Sequence, residues 1–505
     1  MKLVIYQTSD LHGYVNPSDY INYKEQGILK IVSYILEDEK NYDFSLKIDC
    51  GDLIQGSPMT HYLSKNAVSI NPITNLMQEV GYDAYVIGNH EFNYGMDYLL
   101  TAYSPIEDKV INSNIRGLNL STKPYKIFDY NGFKIGLIGS TTQYIPNWEQ
   151  ASTIAGIDFL DPVEEYKKYE AELKDQTDLI IYAYHGGFEK SVDGLNIPTE
   201  ELNKENQASE LLEQYDSIDI MLTGHQHRSF ITKLGKTICS QPINNGGNFT
   251  KIVIDLETKE ISYELLELEE LKVKILPKLE DQFVDLNSEI EIYLDTQIGA
   301  FNKKILIDNL FDARLNGHPF INFLHQVQFD ISGADLSALC LFDTAIGFDK
   351  TVTVRDVLVN YPYPNTLKVI ELSGEKIKEA METSASYFEL NEDGSIGINE
   401  SFLKPKIQNY NYDMYAGLNY EIDLKEEVGK RVKNVTVNGE EFDLYKKYSI
   451  VLNNYRSTNT AKFPSLAGAK VLKDINIDMS EIIINFFDKF GEVEVDESKN
   501  FVVKK

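Results

Sequence analysis

Five times in the first half of the chain, a short strand-like run gives way to residues whose side chains bind metals. Leu3–Tyr6 is followed by Asp10-Leu11-His12, Phe44–Ile48 by Asp49-Cys50-Gly51-Asp52, and Ala84–Ile87 by Gly88-Asn89-His90-Glu91. Leu179–Ala183 runs into Tyr184-His185, and Ile218–Leu222 into Gly224-His225-Gln226-His227. Between the first two runs, Ile28, Ile31, Val32, Ile35 and Leu36 fall on one helical stripe. Strand–helix alternation of this kind reads as an α/β layer fold. In open α/β sheets ligands bind outside the carboxyl ends of the strands, so all five segments are expected to converge on one crevice.

Carboxylate, imidazole and amide donors in one set suit divalent transition metals. A single Asp-x-His is weak, and a lone histidine is more often a hydrogen-bonded core residue. Five clusters in order, each after a strand, are hard to produce by chance. Of the 8 histidines, five lie in these clusters, while His61, His318 and His325 receive no role. Gly51, Gly88 and Gly224 are expected to permit the tight turns that bring the donors in.

Charge narrows the partners. Against 48 Lys and Arg stand 78 Asp and Glu, a net charge of −30, which repels the phosphate backbone of DNA or RNA. Such a surface still handles a small phosphate ester where metals supply positive charge locally. Cys50, Cys239 and Cys340 make no disulfide framework and read as buried thiols of a reducing compartment. No apolar run nears the roughly 20 residues that span a bilayer. No basic segment leads into an apolar one at the start, so no membrane is expected and a cytoplasmic location is, with export the alternative if a leader precedes.

Thr237–Cys239 and Lys251–Ile254 read as further strands of the first domain. From about Glu264 to Phe301 the composition turns charged and helix-favouring, broken by Pro277, which predicts a linker and then a connecting helix over Lys278–Ile298. Beyond it lie strand runs at Leu367–Leu372, Leu418–Ile422, Val432–Val437 and Tyr448–Leu452. Ser373 opens a helix, and Asn438-Gly439 signals a hairpin. The expected domains are residues 1–265, 266–301 (linker and connecting helix) and 302–505.

The ordered set Asp-x-His, Gly-Asp, Gly-Asn-His-Glu, His and Gly-His-x-His resembles the calcineurin-like metallophosphoesterases. Gly88-Asn89-His90-Glu91-Phe92-Asn93-Tyr94-Gly95, Asn360-Tyr361-Pro362-Tyr363-Pro364-Asn365-Thr366-Leu367, Tyr410-Asn411-Tyr412-Asp413 and Leu452-Asn453-Asn454-Tyr455-Arg456 narrow this. They look like the 2′,3′-cyclic-nucleotide 2′-phosphodiesterase/3′-nucleotidase branch of the 5′-nucleotidase family. The resemblance implies a metallophosphoesterase β-sandwich flanked by helices, joined by a connecting helix to a second α/β or α+β nucleotide-binding domain. By resemblance Asp10, His12 and His227 hold one metal, Asn89, His185 and His225 the other, and Asp52 bridges them. The ions would be manganese first, with zinc, iron, cobalt or magnesium as alternatives. His90, with Asn89 and Asp52 beside it, would stabilise the leaving oxygen or transition state. Where the 5′-nucleotidase branch usually has Asp as the partner of that histidine, Asn93 stands here, as in the cyclic-phosphodiesterase branch. Two ions roughly 3.5–4 Å apart clamp phosphoryl oxygens and activate water near neutral pH, so no Ser or Cys nucleophile is needed.

For the nucleoside, the resemblance points to two aromatic rings that sandwich the base, Tyr410 and Tyr455, with Tyr412 as rival. The alternative is that these are ordinary aromatics among 32 tyrosines. Relatives carry a Gly-rich stretch after Asn-Asn-Tyr-Arg, and Ser457–Phe463 departs from it. The expected activity is hydrolysis of 2′,3′-cyclic and 3′-nucleotides. A 5′-nucleotidase or UDP-sugar hydrolase is the enzymatic alternative, and a nucleotide sensor with an idle site the non-enzymatic one.

Overall fold

A computed structural model describes the whole chain except residues 67, 150, 195, 200, 201, 364, 405, 406, 459–461 and 476. Pro364 of the Asn-Tyr-Pro motif and the middle of the Ser457–Phe463 stretch therefore lie outside the described residues. The chain separates into two compact units, Met1–Ile290 and Glu291–Lys505.

The first unit is built on two sheets. Its strands in chain order are β1 (Lys2–Thr8), β2 (Phe44–Asp49), β3 (Ala84–Tyr85), β4 (Tyr125–Tyr130), β5 (Phe133–Thr141), β6 (Leu179–His185), β7 (Ile220–Thr223), β8 (Phe230–Leu234), β9 (Thr237–Gln241), β10 (Asn248–Asp255) and β11 (Ile261–Glu267). One sheet runs β11-β10-β1-β2-β3 and the other β8-β9-β7-β6-β5-β4. Within them, β1, β2 and β3 pair in parallel, as do β5, β6 and β7. Leu3 and Ile5 of β1, Leu46 and Ile48 of β2, Leu137 of β5, Ile181 of β6 and Leu222 of β7 share one dry core, so the sheets pack as a sandwich. The opposite faces are buried too: Tyr6 reaches the helix Ile28–Asp38 through a 2.7 Å bond from its hydroxyl to Asp38. Tyr182, Tyr184 and Met221 form a second cluster with Tyr166 and Leu173 of the helix Pro162–Leu173. Burial on both faces is why these strands read as unbroken apolar runs rather than alternating ones. Gln7 ties the two sheets near the ends of β1 and β7, its amide donating to the Thr223 carbonyl at 2.8 Å.

Two expectations for this region change. Residues 266 and 267, placed in the linker, belong to β11, since β11 is an edge strand with much of its length exposed and so carries charge. The expected helix Lys278–Ile298 splits into Pro277–Glu280, a short 3₁₀ turn and Val284–Leu294. Gln297 and Ile298 already lie in an extended segment, Gln297–Phe301, because β-pairing with Thr351–Thr353 outcompetes helix propensity there.

The second unit centres on β12 (Leu336–Cys340), whose five residues are all buried. With β13 (Leu367–Ser373), β14 (Asp413–Ala416), β18 (Lys447–Asn453) and β19 (Lys470–Ile475) it forms a sheet ordered β14-β12-β18-β13-β19. A smaller sheet, β17-β16-β15-β20, joins β15 (Asn419–Asp423), β16 (Val432–Val437), β17 (Glu440–Glu441) and β20 (Phe501–Lys504). Asn438 and Gly439 turn β16 into β17 with φ of 52° and 82°, as a type I′ hairpin requires. Helices Pro319–Ser332, Gly374–Ala385 and Met479–Phe490 contribute to the unit's core. Among the described residues no helix is long and apolar enough to cross a membrane.

Candidate metal centre

Parallel pairing sends the carboxyl ends of β1, β2, β3, β6 and β7 to the same edge of the sandwich, and the polar clusters follow there. Asp10, His12 and His227 form one group whose ligand atoms lie within 4.8 Å of one another, and Asp52, His185 and His225 form a second. Asn89 lies with the second, its Oδ1 3.1 Å from His185 Nε2 and 2.8 Å from His225 Nδ1.

The backbone is forced into an unusual shape to achieve this. Asp10, His12, Asp52, His225 and His227 all have left-handed φ, between 49° and 72°. Asp and His tolerate that region better than most residues, yet each instance costs on the order of 1–3 kcal/mol. Loop-to-loop bonds hold the conformation: Asp10 N–H donates to the Gly51 carbonyl at 2.9 Å and His12 N–H to the Asp52 carbonyl at 2.8 Å. The His225 N–H reaches both Asp10 carboxylate oxygens, at 2.9 and 3.1 Å. Of the three glycines singled out from sequence, only Gly51 uses a left-handed turn, with φ of 95°. Gly88 and Gly224 are needed for space instead. A Cβ on Gly88 would sit 2.3 Å from Asp52 Oδ1, and one on Gly224 2.1 Å from Ser9 Oγ.

The donor set fits a cation. Asp10 and Asp52 are 0 and 1% exposed, and among the described residues no Lys or Arg forms an ion pair with either. Unpaired buried carboxylates are costly, and bound metal ions are one of the few ways to compensate them. His12 Nε2 and His227 Nε2 face one another at 3.1 Å, as two ligands of one ion would. In His12 and His185 the other nitrogen is committed elsewhere. His12 Nδ1 donates to the Gln55 carbonyl at 2.8 Å and His185 Nδ1 to the Cys50 carbonyl at 2.7 Å. A carbonyl only accepts, so these contacts fix a proton on Nδ1 and turn Nε2 toward the site, where in the neutral ring it carries the lone pair.

Titration in the metal-free protein reflects the crowding. Burial pushes His12 down to about 4. Burial opposes a charge on His185, but the charge and hydrogen bond of Asp52 overcome it and push the ring up to about 10. Burial likewise opposes a charged Asp10, and the hydrogen bond with His227 reinforced by the charges of His185 and His227 holds it at about 2. His185 Nε2 and an Asp52 oxygen lie 3.2 Å apart, and a cation bound between them would have to displace the proton that the raised His185 retains.

Several residues reach the site without having been assigned a part in it. Glu91, 1% exposed, accepts the backbone N–H of Gly88 at 2.7 Å, Asp52 at 3.0 Å and Leu53 at 2.6 Å. It thereby joins the β2 loop to the β3 loop, and its place in Gly-Asn-His-Glu was the available signal. Glu149 accepts from the Asn93 amide. Trp148 stacks on the His225 ring with centroids 5.3 Å apart and planes at 30°. Glu205 faces His225 Nε2 at 3.1 Å. Nothing in the local sequence around these last three marks them.

In the second unit, Tyr410 and Tyr455 do meet, with ring centroids 6.2 Å apart and planes at 77°, an edge-on contact rather than a parallel pair. Tyr412 is a core residue instead, 1% exposed and stacked on Tyr387 at 4.7 Å. Arg456 clamps the Tyr410 and Tyr455 segments together. It donates to both Asp413 oxygens, at 2.6 and 3.1 Å, to Asn411 Oδ1 at 3.1 Å and to the Tyr410 carbonyl at 2.7 Å.

Sandwich, strand ends and donor set together define a metal-dependent phosphoesterase centre of the calcineurin type. Comparison with known proteins agrees: residues 3–229 match the calcineurin-like phosphoesterase family and residues 297–468 the 5′-nucleotidase C-terminal domain. A crystal structure of a Staphylococcus aureus protein designated a 5′-nucleotidase, in complex with alpha-ketoglutarate, is 36% identical, covers 100% of both chains and superposes with a TM-score of 0.91. The 2′,3′-cyclic-nucleotide 2′-phosphodiesterase/3′-nucleotidase of Haemophilus influenzae is 25% identical over 99% of this chain and 87% of its own. The trifunctional nucleotide phosphoesterase protein of Bacillus subtilis is 23% identical over 96% of this chain, which spans only 38% of that longer protein. The chain belongs to the 5′-nucleotidase family of calcineurin-like metallophosphoesterases.

Proposed function

We propose that this protein hydrolyses nucleotide phosphate esters, with 2′,3′-cyclic and 3′-nucleotides as its substrates and manganese as its metal. The observation that carries the hydrolytic reading is the pair of donor groups, Asp10, His12, His227 and Asp52, His185, His225, with Asn89 beside the second. Two divalent ions held there would supply Lewis acidity to the phosphoryl oxygens and the attacking water. Asp52, fully buried between the loops, would serve both ions.

The chain's own residues do the rest. His90 has its N–H tied to Asp52 Oδ1 at 2.8 Å, which sets its backbone against the centre. Its Nδ1 is taken by Asn93, so Nε2 is the nitrogen left to meet the leaving oxygen. Tyr410 and Tyr455 would hold the base, and to admit it between them one ring must turn from the edge-on contact. Support for the cyclic substrate comes from Asn93 and from the Haemophilus influenzae relative. The non-enzymatic reading gains nothing from a site whose donors are all present.

The test is a nucleotide panel assayed with Mn²⁺. The expected order of kcat/KM is 2′,3′-cyclic, then 3′-, then 5′-nucleotides. A preference for 5′-nucleotides or UDP-sugars would overturn the substrate assignment, and no turnover of any phosphate ester by metal-loaded protein would overturn the activity.

A further inference from the structure

We infer that Glu205 is a positioning residue for His225, fixing the tautomer in which that imidazole can bind a metal ion. The inference rests on the reading of His225 as a metal ligand, and it begins from an asymmetry among the histidines. His12 and His185 place Nδ1 on a backbone carbonyl and turn Nε2 to the site. His225 is reversed. Its Nδ1 lies 2.8 Å from Asn89 Oδ1, on the side of the other donors, and its Nε2 lies 3.1 Å from Glu205 Oε1.

A neutral imidazole carries one proton, and only the bare nitrogen binds a cation. In a free histidine neither tautomer is compelled. Here both nitrogens face acceptors, Nδ1 the Asn89 amide oxygen and Nε2 the Glu205 carboxylate; the charged carboxylate is the stronger acceptor, so it holds the proton on Nε2 and leaves the lone pair on Nδ1. The carboxylate also makes the ring more electron-rich, which a backbone carbonyl does far less. Of His12, His185 and His225, only His225 has a charged partner behind it.

The remaining freedom of the ring is removed by other contacts. Trp148 stacks on its face at 5.3 Å, and the His225 backbone N–H is bound to Asp10. Glu205 is itself anchored, since its carbonyl accepts the Thr142 hydroxyl at 2.6 Å. Its side chain is 23% exposed, so replacement leaves no deeply buried void.

The experiment compares the parent with Glu205→Ala, Glu205→Gln and His225→Ala, using Mn²⁺ alone as the probe and calorimetric titration as the readout. Glu205→Ala should weaken binding at one of two sites by 10- to 100-fold, as removal of such a partner typically does. Glu205→Gln, which keeps an acceptor but no charge, should fall between Ala and the parent. In the parent stripped of metal, nitrogen-15 spectra of the histidine rings should show the His225 proton on Nε2, and in Glu205→Ala a mixture of tautomers. Parent-like affinity in Glu205→Ala, or a parent proton resident on Nδ1, would overturn the inference, and the second measurement needs no variant to fold. His225→Ala separates this from the underlying reading: if it still binds two ions, the ligand assignment itself has failed; if it binds one while Glu205→Ala binds both normally, only the role of Glu205 has.

Discussion

The side-chain oxygen of Asn93 lies 2.6 Å from Nδ1 of His90. Behind it the Asn93 amide donates to Glu149. A carboxylate can only accept, so Glu149 dictates which end of the Asn93 amide faces His90, and Asn93 in turn requires a proton on His90 Nδ1. His90→Ala should therefore cost roughly 10²- to 10⁴-fold in kcat, the usual scale of proton-transfer assistance, with metal content unchanged. Elemental analysis beside the kinetics decides: a lost ion would make His90 a ligand.

Metal removal should loosen the first unit. Five donors sit in strained left-handed backbone, and the ions reward that geometry only while bound. At free metal 100 times the Kd, each site adds about 2.7 kcal/mol of stability, so chelation should lower the melting temperature visibly. Trp148 is the single tryptophan of the chain and stacks on His225, so its emission should change on chelation and return with Mn²⁺. A melt and spectrum indifferent to chelator would contradict the centre.

Asp49 gives a pH signature. It is fully buried, and burial pushes its carboxyl up to about 8 from an ordinary 3.8. A folded value above the unfolded one means that the folded chain holds the proton longer, so this group's contribution is complete below about 4 and is lost as pH rises toward 8. The difference in unfolding free energy between the parent and Asp49→Asn should shift against the parent across that window. Denaturant titrations of the stripped proteins at several pH values check it, and a flat difference refutes it.

In the second unit the ion pair between Arg456 and Asp413 is almost fully buried, with side chains 3 and 5% exposed. Asp413→Ala strands the guanidinium, and breaking such a pair typically costs 3–5 kcal/mol. Urea unfolding of the variant should show that loss, and nucleotide affinity should fall with it because the Tyr410 segment loses its anchor.

Tyr455→Ala and Tyr410→Ala should each weaken nucleotide binding by roughly five- to hundred-fold, at about 1–3 kcal/mol per stacked ring. Hydrolysis of a small aryl phosphate should hold. The comparison is kcat/KM on both substrates, and equal losses on the two would mean a fold defect instead.

The clustering of the candidate donors was legible in the sequence because strand ends in a parallel sheet are close in space wherever they fall in the chain. Asp10, Asp52, Asn89, His185 and His225 needed only their strands to be recognised. The partners that orient them were hidden for the same reason reversed. Glu205 and Glu149 lie in loops, where no period of 2 or 3.6 tells a reader which way a side chain points. Tyr412 failed as a stacking candidate because residues 411–415 are all buried and its ring packs on Tyr387, while Tyr410 two positions earlier is only half-buried, a difference the motif does not record. Residues 266 and 267 looked like linker because an edge strand is charged for protection rather than for flexibility.

The placement of β1 has a consequence for how the protein is made. β1 carries Asp10 and His12 at its end, and it pairs on one side with β2 but on the other with β10, Lys2 opposite Asp255. Synthesis therefore delivers the first two candidate donors early and the strand that pairs beside them late. Contacts so distant along the chain form slowly, and domains fold as units once their residues have emerged. Closure of the sheet around Asp10 and His12 therefore waits until the residues up to Asp255 have emerged.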